Sequence, residues 1–511
     1  LASDIPTRTQ LRTVALAAAA LGMIAAIIYY QRELTLSHYD AKAHLVVARR
    51  IIDSLRPGWW QIGAVWLPLP HLLNMLPVQN DWLYRTGFSG VAISVGAFTL
   101  TTTTLFWLIA RASGSLIAAI AGTLVFATQP DVLYLQATPM TESLLMALTV
   151  LGVALTWGWV DAGATTSPRA ASLVLAAACW TRYEAWPITA ATVALAGVAL
   201  LLMRQPLAIV ARRIAALAAY PVAAAVVFVV FSRITVGSWL VTDGFFLIDN
   251  PAYRNPLRAL AQVGWALRQL NGLATVIIVA AAAIICLIVV FRDGNTVLRD
   301  DDITNRARNR ALIIPFALAA SAALPLYAFF NGHPFRIRYM VVLTIALAAV
   351  GGIGVGLLPR KLRAIAAAAL ALVCLIETPP FPTASPMISE AQWDKSHSRE
   401  RQRVTACLQQ TYDGTPILAS MGSLAHFMQE TSRIGLSIHD YIHEGIGQIW
   451  TSSLDGGARL NAGWVLIEEQ AEGGDELSKL RSTSPEFLRG FVRVCDGGGV
   501  VLYRRQLVAA D

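Results

Sequence analysis

Apolar residues in this chain come in long unbroken runs, not in the alternation of a half-buried strand. A helix that crosses a membrane needs about 20 mainly apolar residues. Roughly eleven stretches meet or approach that length: 13–30, 87–110, 115–129, 141–160, 170–187, 188–203, 213–232, 273–291, 311–330, 339–357 and 364–378. The third is short, and the fifth and sixth are nearly continuous. The pattern predicts an all-α polytopic membrane bundle over residues 1–378, with about eleven transmembrane helices.

Basic residues fall in every second loop. They are Arg8 and Arg12; Arg111; Arg169; Arg204, Arg212 and Arg213; Arg292, Arg299, Arg306, Arg308 and Arg310; and Arg360, Lys361 and Arg363. Cytoplasmic loops carry the excess of Lys and Arg, so these loops and the N-terminus are expected inside. The alternate loops, 31–86, 129–140, 180–187, 233–272, 331–338 and everything after 378, are then expected on the extracytoplasmic side. The run Val14–Tyr30 is too long for a signal-peptide core and reads as an uncleaved anchor.

In the first outer loop, Trp59, Trp60, Trp66 and Trp82 lie among Leu, Pro and Ile, with Arg49, Arg50, Asp53 and Arg56 nearby. That mixture suits interfacial helices with indoles at headgroup depth. In loop 233–272, Phe245, Phe246 and Leu247 are expected to dip into the interface. Beyond Pro379, Pro380, Pro382 and Pro386 the pattern changes. Short apolar runs at 416–420, 463–468 and 499–503 predict strands, and 424–429 and 485–491 predict helices. Such alternation predicts a soluble α/β domain over 379–511, long enough to hold its own core.

Composition agrees. Of 511 residues, 56% are hydrophobic and only 14% charged, with a mean hydropathy of +0.55. The net charge of +8 is spread over loop clusters, and no Lys/Arg tract interleaved with aromatics points to nucleic acid. Cys179, Cys286 and Cys374 lie in apolar runs and read as core residues. Cys407 and Cys495 lie in the tail and are expected to pair if it is extracytoplasmic.

The candidate chemistry lies at the outer ends of the runs. Asp40 and His44, four apart on one helix face, follow the first span. Asp131 and Glu142 lie at the two ends of the second outer loop, 129–140, and Arg182 and Glu184 sit in Trp180–Trp186. His333, Arg336, Arg338 and Tyr339 lie in one further segment. Plainer roles compete. Arg182 and Glu184 could only pair at a helix end, the two later arginines could anchor headgroups, and Glu142 could favour a helix N-terminus. His44 could simply be packed. An isolated carboxylate at a membrane edge has little structural use, so Asp40 stands out as functional.

The segment Tyr39-Asp40-Ala41-Lys42-Ala43-His44-Leu45 resembles the opening signature of the GT-C membrane glycosyltransferases. More narrowly, it is similar to the protein O-mannosyltransferase and aminoarabinose transferase group, which use polyprenyl-phosphate sugars. The Thr-Pro-Met-Thr-Glu segment ending at Glu142, Thr-Arg-Tyr-Glu at 181–184 and Arg-Ile-Arg-Tyr at 336–339 are similar in position to that group's outer-face motifs. The resemblance implies an inverting glycosyltransferase that moves a sugar from a polyprenyl-phosphate donor to a hydroxyl of a glycan, lipid or protein.

A lipid-phosphate sugar already has a good leaving group, so the acceptor hydroxyl mainly needs a base, and one carboxylate suffices. The departing phosphate needs fixed cations, for which arginine is suited. The expected roles are Asp40 as base and Arg182, Arg336 and Arg338 on phosphate. Glu142 and Glu184 would orient the site or bind sugar hydroxyls. Asp131, His44, His333 and Tyr339 would support it. A divalent metal is a possible cofactor, with Asp40, His44, Glu142 and His333 as N/O donors. The rival reading is a transporter or flippase for a lipid-linked sugar.

Overall fold

The computed structural model describes residues 6–241, 250–292, 307–471 and 474–506. All eleven predicted stretches fall on helical segments, but they do not make eleven equivalent spans. Among the described residues, eight helices are long and apolar enough to cross a membrane. They are Arg8–Gln31, Phe88–Ser113, Glu142–Asp161, Ala185–Leu202, Leu207–Val236, Leu273–Phe291, Ala307–Phe330 and Arg338–Gly356. Leu116–Ala127 and Arg169–Cys179 have 12 and 11 residues. At this length a helix reaches about 18 Å, well short of the ~30 Å hydrocarbon core. Arg360–Glu377 is longer but opens on Arg360, Lys361 and Arg363. Phe245, Phe246, Leu247, Arg299 and Arg306 lie outside the described residues.

Lipid supplies no hydrophobic drive for helices to associate, so close backbone packing must substitute. The Leu116–Ala127 and Thr344–Gly356 helices meet at Gly122 and Gly352. A Cβ on Gly122 would stand 2.8 Å from both the Gly352 Cα and the Ala348 carbonyl oxygen. Thr344–Gly356 is buried along its whole length, which places it at the centre of the bundle.

The C-terminal region carries a five-stranded sheet of order β2-β1-β3-β5-β4. Its strands are β1 (Ile417–Ala419), β2 (Tyr441–Ile442), β3 (Trp464–Glu468), β4 (Phe491–Gly497) and β5 (Val500–Arg505). The first three in spatial order run parallel, and β3, β5 and β4 pair antiparallel. The three predicted strands match β1, β3 and β5, whose apolar side chains are buried. The other two carry no clear apolar run: β2 has two residues, and β4 is an edge strand with mostly exposed side chains. The helix expected over 485–491 shrinks to a turn at Pro485–Leu488, because Phe491 opens β4.

Cys407 and Cys495 form a disulfide between the Lys395–Thr411 helix and β4, with a sequence separation of 88. Closing so long a loop removes unfolded-state freedom. Replacing both cysteines by serine should lower the stability of this region by about 2–5 kcal/mol, read by thermal unfolding with and without reductant.

The first long loop does not lie apart from this region. In the Tyr39–Arg49 helix, Ala41 joins the core of the bundle. Ala43, Leu45, Val46 and Ala48 instead join one core with Leu408, Ile417, Phe427 and Trp464 of the C-terminal region. Polar ties follow the same seam. Lys42 Nζ meets Glu430 at 2.5 Å, and Gln61 Nε2 donates to the Gly445 carbonyl at 2.9 Å. Asp53 accepts the backbone N–H groups of Ile438 and His439. Glu430 also takes the buried Arg401, which is bidentate to Asp394 at 3.0 and 2.6 Å. The helix bearing Asp40 is therefore clamped between the membrane bundle and the sheet region.

Candidate active site

The Tyr39–Arg49 helix starts where His38 Nδ1 accepts the Asp40 backbone N–H at 3.1 Å. One orphan helix donor is thereby satisfied, and Asp40 falls in the first turn, where the helix dipole favours an anion. Asp40 is only 2% exposed and is paired with Arg338, 298 residues away in sequence. Arg338 opens the last of the eight spans, and its guanidinium lies 5.3 Å over the Tyr339 ring. Burial works to raise the Asp40 carboxyl. Arg338, by its charge and its hydrogen bond, overcomes burial and holds it well below the usual carboxylate range. A depressed carboxyl stabilises the fold above its unfolded value of about 3.9, and that contribution is lost as pH falls through the folded value. Burial also pushes the His38 imidazole down to about 3, so it caps the helix as a neutral ring.

A second knot lies on Arg182. Its Nη2 meets Glu184 Oε1 at 2.7 Å, and its Nη1 meets Glu142 Oε1 at 3.1 Å and Thr141 Oγ1 at 3.0 Å. Burial opposes the Arg182 charge, and Glu142 and Glu184 more than offset it. The local Arg182–Glu184 pairing is as the sequence suggested. The third member, Glu142, arrives from another helix and leaves Arg182 with two buried carboxylates. The two knots feel each other: Arg182 and Arg338 both act on His38, and Glu142 acts on Arg338.

The remaining candidates divide. Arg336 adds to the positive field at His38 and Tyr39. His333 and Tyr339 are neighbours, with ring centroids 5.5 Å apart. His44 packs against Trp66 and hydrogen-bonds His71. Asp131 plays a structural part. Its Oδ1 accepts the Met387 N–H at 2.8 Å, and Gln129 donates to Oδ2 at 2.9 Å. Those bonds hold the Pro386–Ala391 helix, whose Glu390 accepts the Ile337 N–H at 2.5 Å and so braces the backbone beside Arg338. Neither Glu390 nor His71 stands out in the sequence. The first lies in a polar tail with no motif, and the second is one residue in a short apolar helix.

Among the described residues, no three His, Cys, Asp or Glu side chains converge as a metal-binding group. Of the suggested donors, Asp40 faces a guanidinium and His44 Nδ1 faces His71, so the set does not fit a metal as it stands.

An apolar bundle with a sheet region clamped on its first loop is a fold already seen among solved structures. No family model matches the sequence, and neither does any curated protein. Among solved structures, the chain is similar to the crystal structure of ArnT from Cupriavidus metallidurans bound to undecaprenyl phosphate. The identity is 12% and the TM-score 0.56, over 96% of this chain and 98% of that one. The chain is a multi-pass membrane protein with this fold.

Proposed function

We propose that the protein is an inverting glycosyltransferase that takes its sugar from a polyprenyl-phosphate donor on the extracytoplasmic face. The observation that supports this most is the buried Asp40–Arg338 pair beside the Arg182 knot, in a fold similar to a protein bound to undecaprenyl phosphate. Asp40 is ionised and so able to accept a proton. The acceptor hydroxyl gives its proton to Asp40 while its oxygen bonds to the anomeric carbon. The bond from that carbon to the phosphate oxygen breaks with its electron pair, and the configuration inverts.

Arg338, Arg336 and Arg182 supply fixed positive charge for the leaving phosphate. Arg338 has a double duty. A donor phosphate that draws on its guanidinium loosens its hold on Asp40, so the carboxylate becomes a better base as the donor binds.

The test is transfer from polyprenyl-phosphate pentoses and hexoses in proteoliposomes, joined to a binding measurement. Undecaprenyl phosphate at about 100 times its Kd should stabilise the protein by roughly 2.7 kcal/mol, seen as a thermal shift. Arg338→Gln should lose most of that shift. An equal shift in the variant, or no transfer with any donor, would sink the proposal.

A further inference from the structure

One turn along the same helix from Asp40, a small cavity is bounded by His44, His71, Asn74, Ser94, Thr141 and Leu144. Gly90 allows the wall to close: a Cβ there would stand 2.4 Å from the Pro139 Cβ. The cavity offers about 20 Å³, room for one group the size of a water molecule. Its far wall is part of the arginine knot, because Thr141 Oγ1 accepts from Arg182.

The tautomers of the two histidines follow from their partners. His71 Nδ1 lies 3.0 Å from the Leu67 carbonyl oxygen, which can only accept, so His71 carries its proton on Nδ1. Burial drives His71 down to about 4, so near neutral pH the ring is uncharged and its Nε2 is an acceptor. That nitrogen is 3.1 Å from His44 Nδ1, so His44 donates from Nδ1. Burial, then His71, keeps His44 well below the usual histidine range. His44 Nε2 is therefore a bare lone pair.

It is also buried without a hydrogen-bond partner, and so is Oδ1 of Asn74. The two residues are 4% and 6% exposed. Buried acceptors left unmatched cost about 1–3 kcal/mol each. Two of them on side chains that line one cavity call for a ligand group that brings its own hydrogen.

We infer that this cavity receives a hydroxyl or amine of the sugar or of the acceptor, hydrogen-bonded to His44 Nε2 and Asn74 Oδ1, an assignment that rests on the transferase reading above. His71 is a positioning residue: it fixes which nitrogen His44 presents. The cavity admits one polar substituent rather than a whole ring, so it discriminates between substrates that differ at a single position.

The full-length protein tests this in two ways. Nitrogen-15 NMR of labelled histidine reads the tautomers without any substrate. Both rings should stay neutral with the proton on Nδ1 from about pH 5.5 to about pH 8, and His71→Leu should release the His44 tautomer. A His44 proton on Nε2, or a His44 that titrates in that range, overturns the inference whether or not the protein transfers sugar.

In transfer assays, His44→Phe should raise KM for one substrate about tenfold, more than it lowers kcat. A rise confined to the donor assigns the cavity to the sugar, and one confined to the acceptor assigns it there. A substrate lacking the matching hydroxyl should lose the same factor with the native protein and nothing more with His44→Phe. Unchanged KM for both substrates overturns the inference while leaving the transferase reading intact. If no donor is turned over, the transferase reading fails, and free methyl pyranosides then decide the cavity. A His44 Nε2 resonance that none of them moves rules it out.

Discussion

Asp40→Asn should lower the turnover of sugar transfer by about 10²–10⁴-fold, the usual contribution of a general base. Asparagine keeps the size of the side chain and can still accept from Arg338, but it cannot take a proton. The substitution also breaks a buried ion pair, and leaving one partner uncompensated costs about 3–5 kcal/mol. A loss of activity by itself would therefore not separate chemistry from folding. The double variant Asp40→Asn/Arg338→Gln removes both charges and should recover most of the melting temperature, but Arg338 also serves the phosphate, so this variant reports folding alone. Chemistry is read in Asp40→Asn by itself, as turnover per folded molecule at a temperature below its melting transition. Near-normal turnover there would rule out Asp40 as the base.

The pH profile gives a separate check. The folded Asp40 carboxyl lies well below the usual range, so it stays ionised throughout mild acid. Its ionisation should leave kcat/KM, which reports the free enzyme, flat between about pH 5 and about pH 8. A limb in kcat/KM near pH 6 that vanishes in Asp40→Asn would mean that the carboxyl titrates there in the free enzyme, and the pairing with Arg338 would not hold.

Asp40 was legible as a candidate because a charge beside a long apolar run has few structural reasons to exist. Its partner was legible only as one of several arginines, since nothing in a sequence links positions 298 apart. The spans were legible because the bilayer sets a length that apolar runs must meet. What failed was the equation of every run with a full crossing: Leu116–Ala127 is apolar enough but too short, and burial within the bundle explains its composition equally well. The tryptophans separate in the same way. Trp59 and Trp82 are 58% and 59% exposed, as interfacial indoles should be, whereas Trp66 lies on His44 with ring centroids 4.1 Å apart.

Least visible was the seam between the first loop and the C-terminal region. Apolar residues of the Asp40 helix could equally have faced lipid. Only the three-dimensional arrangement assigns Leu45 and Val46 to a shared core with Phe427 and Trp464. The tail's Tyr441, His443, Trp450 and Trp464 are buried, whereas His439 is exposed.

Arg182→Met should destabilise the protein by about 3–5 kcal/mol and abolish most transfer. Methionine fills much of the volume but leaves Glu142 and Glu184 facing each other without a cation, at 0% and 1% side-chain exposure. Two buried carboxylates left facing each other without a cation repel, and that repulsion is the source of the instability. Adding Glu142→Gln and Glu184→Gln removes the repulsion and should restore most of the melting temperature. Transfer should not return, because the proposed phosphate site still lacks its cation. Recovery of both together would mean that Arg182 serves only to neutralise the two glutamates, and the leaving phosphate would then rest on Arg336 and Arg338 alone.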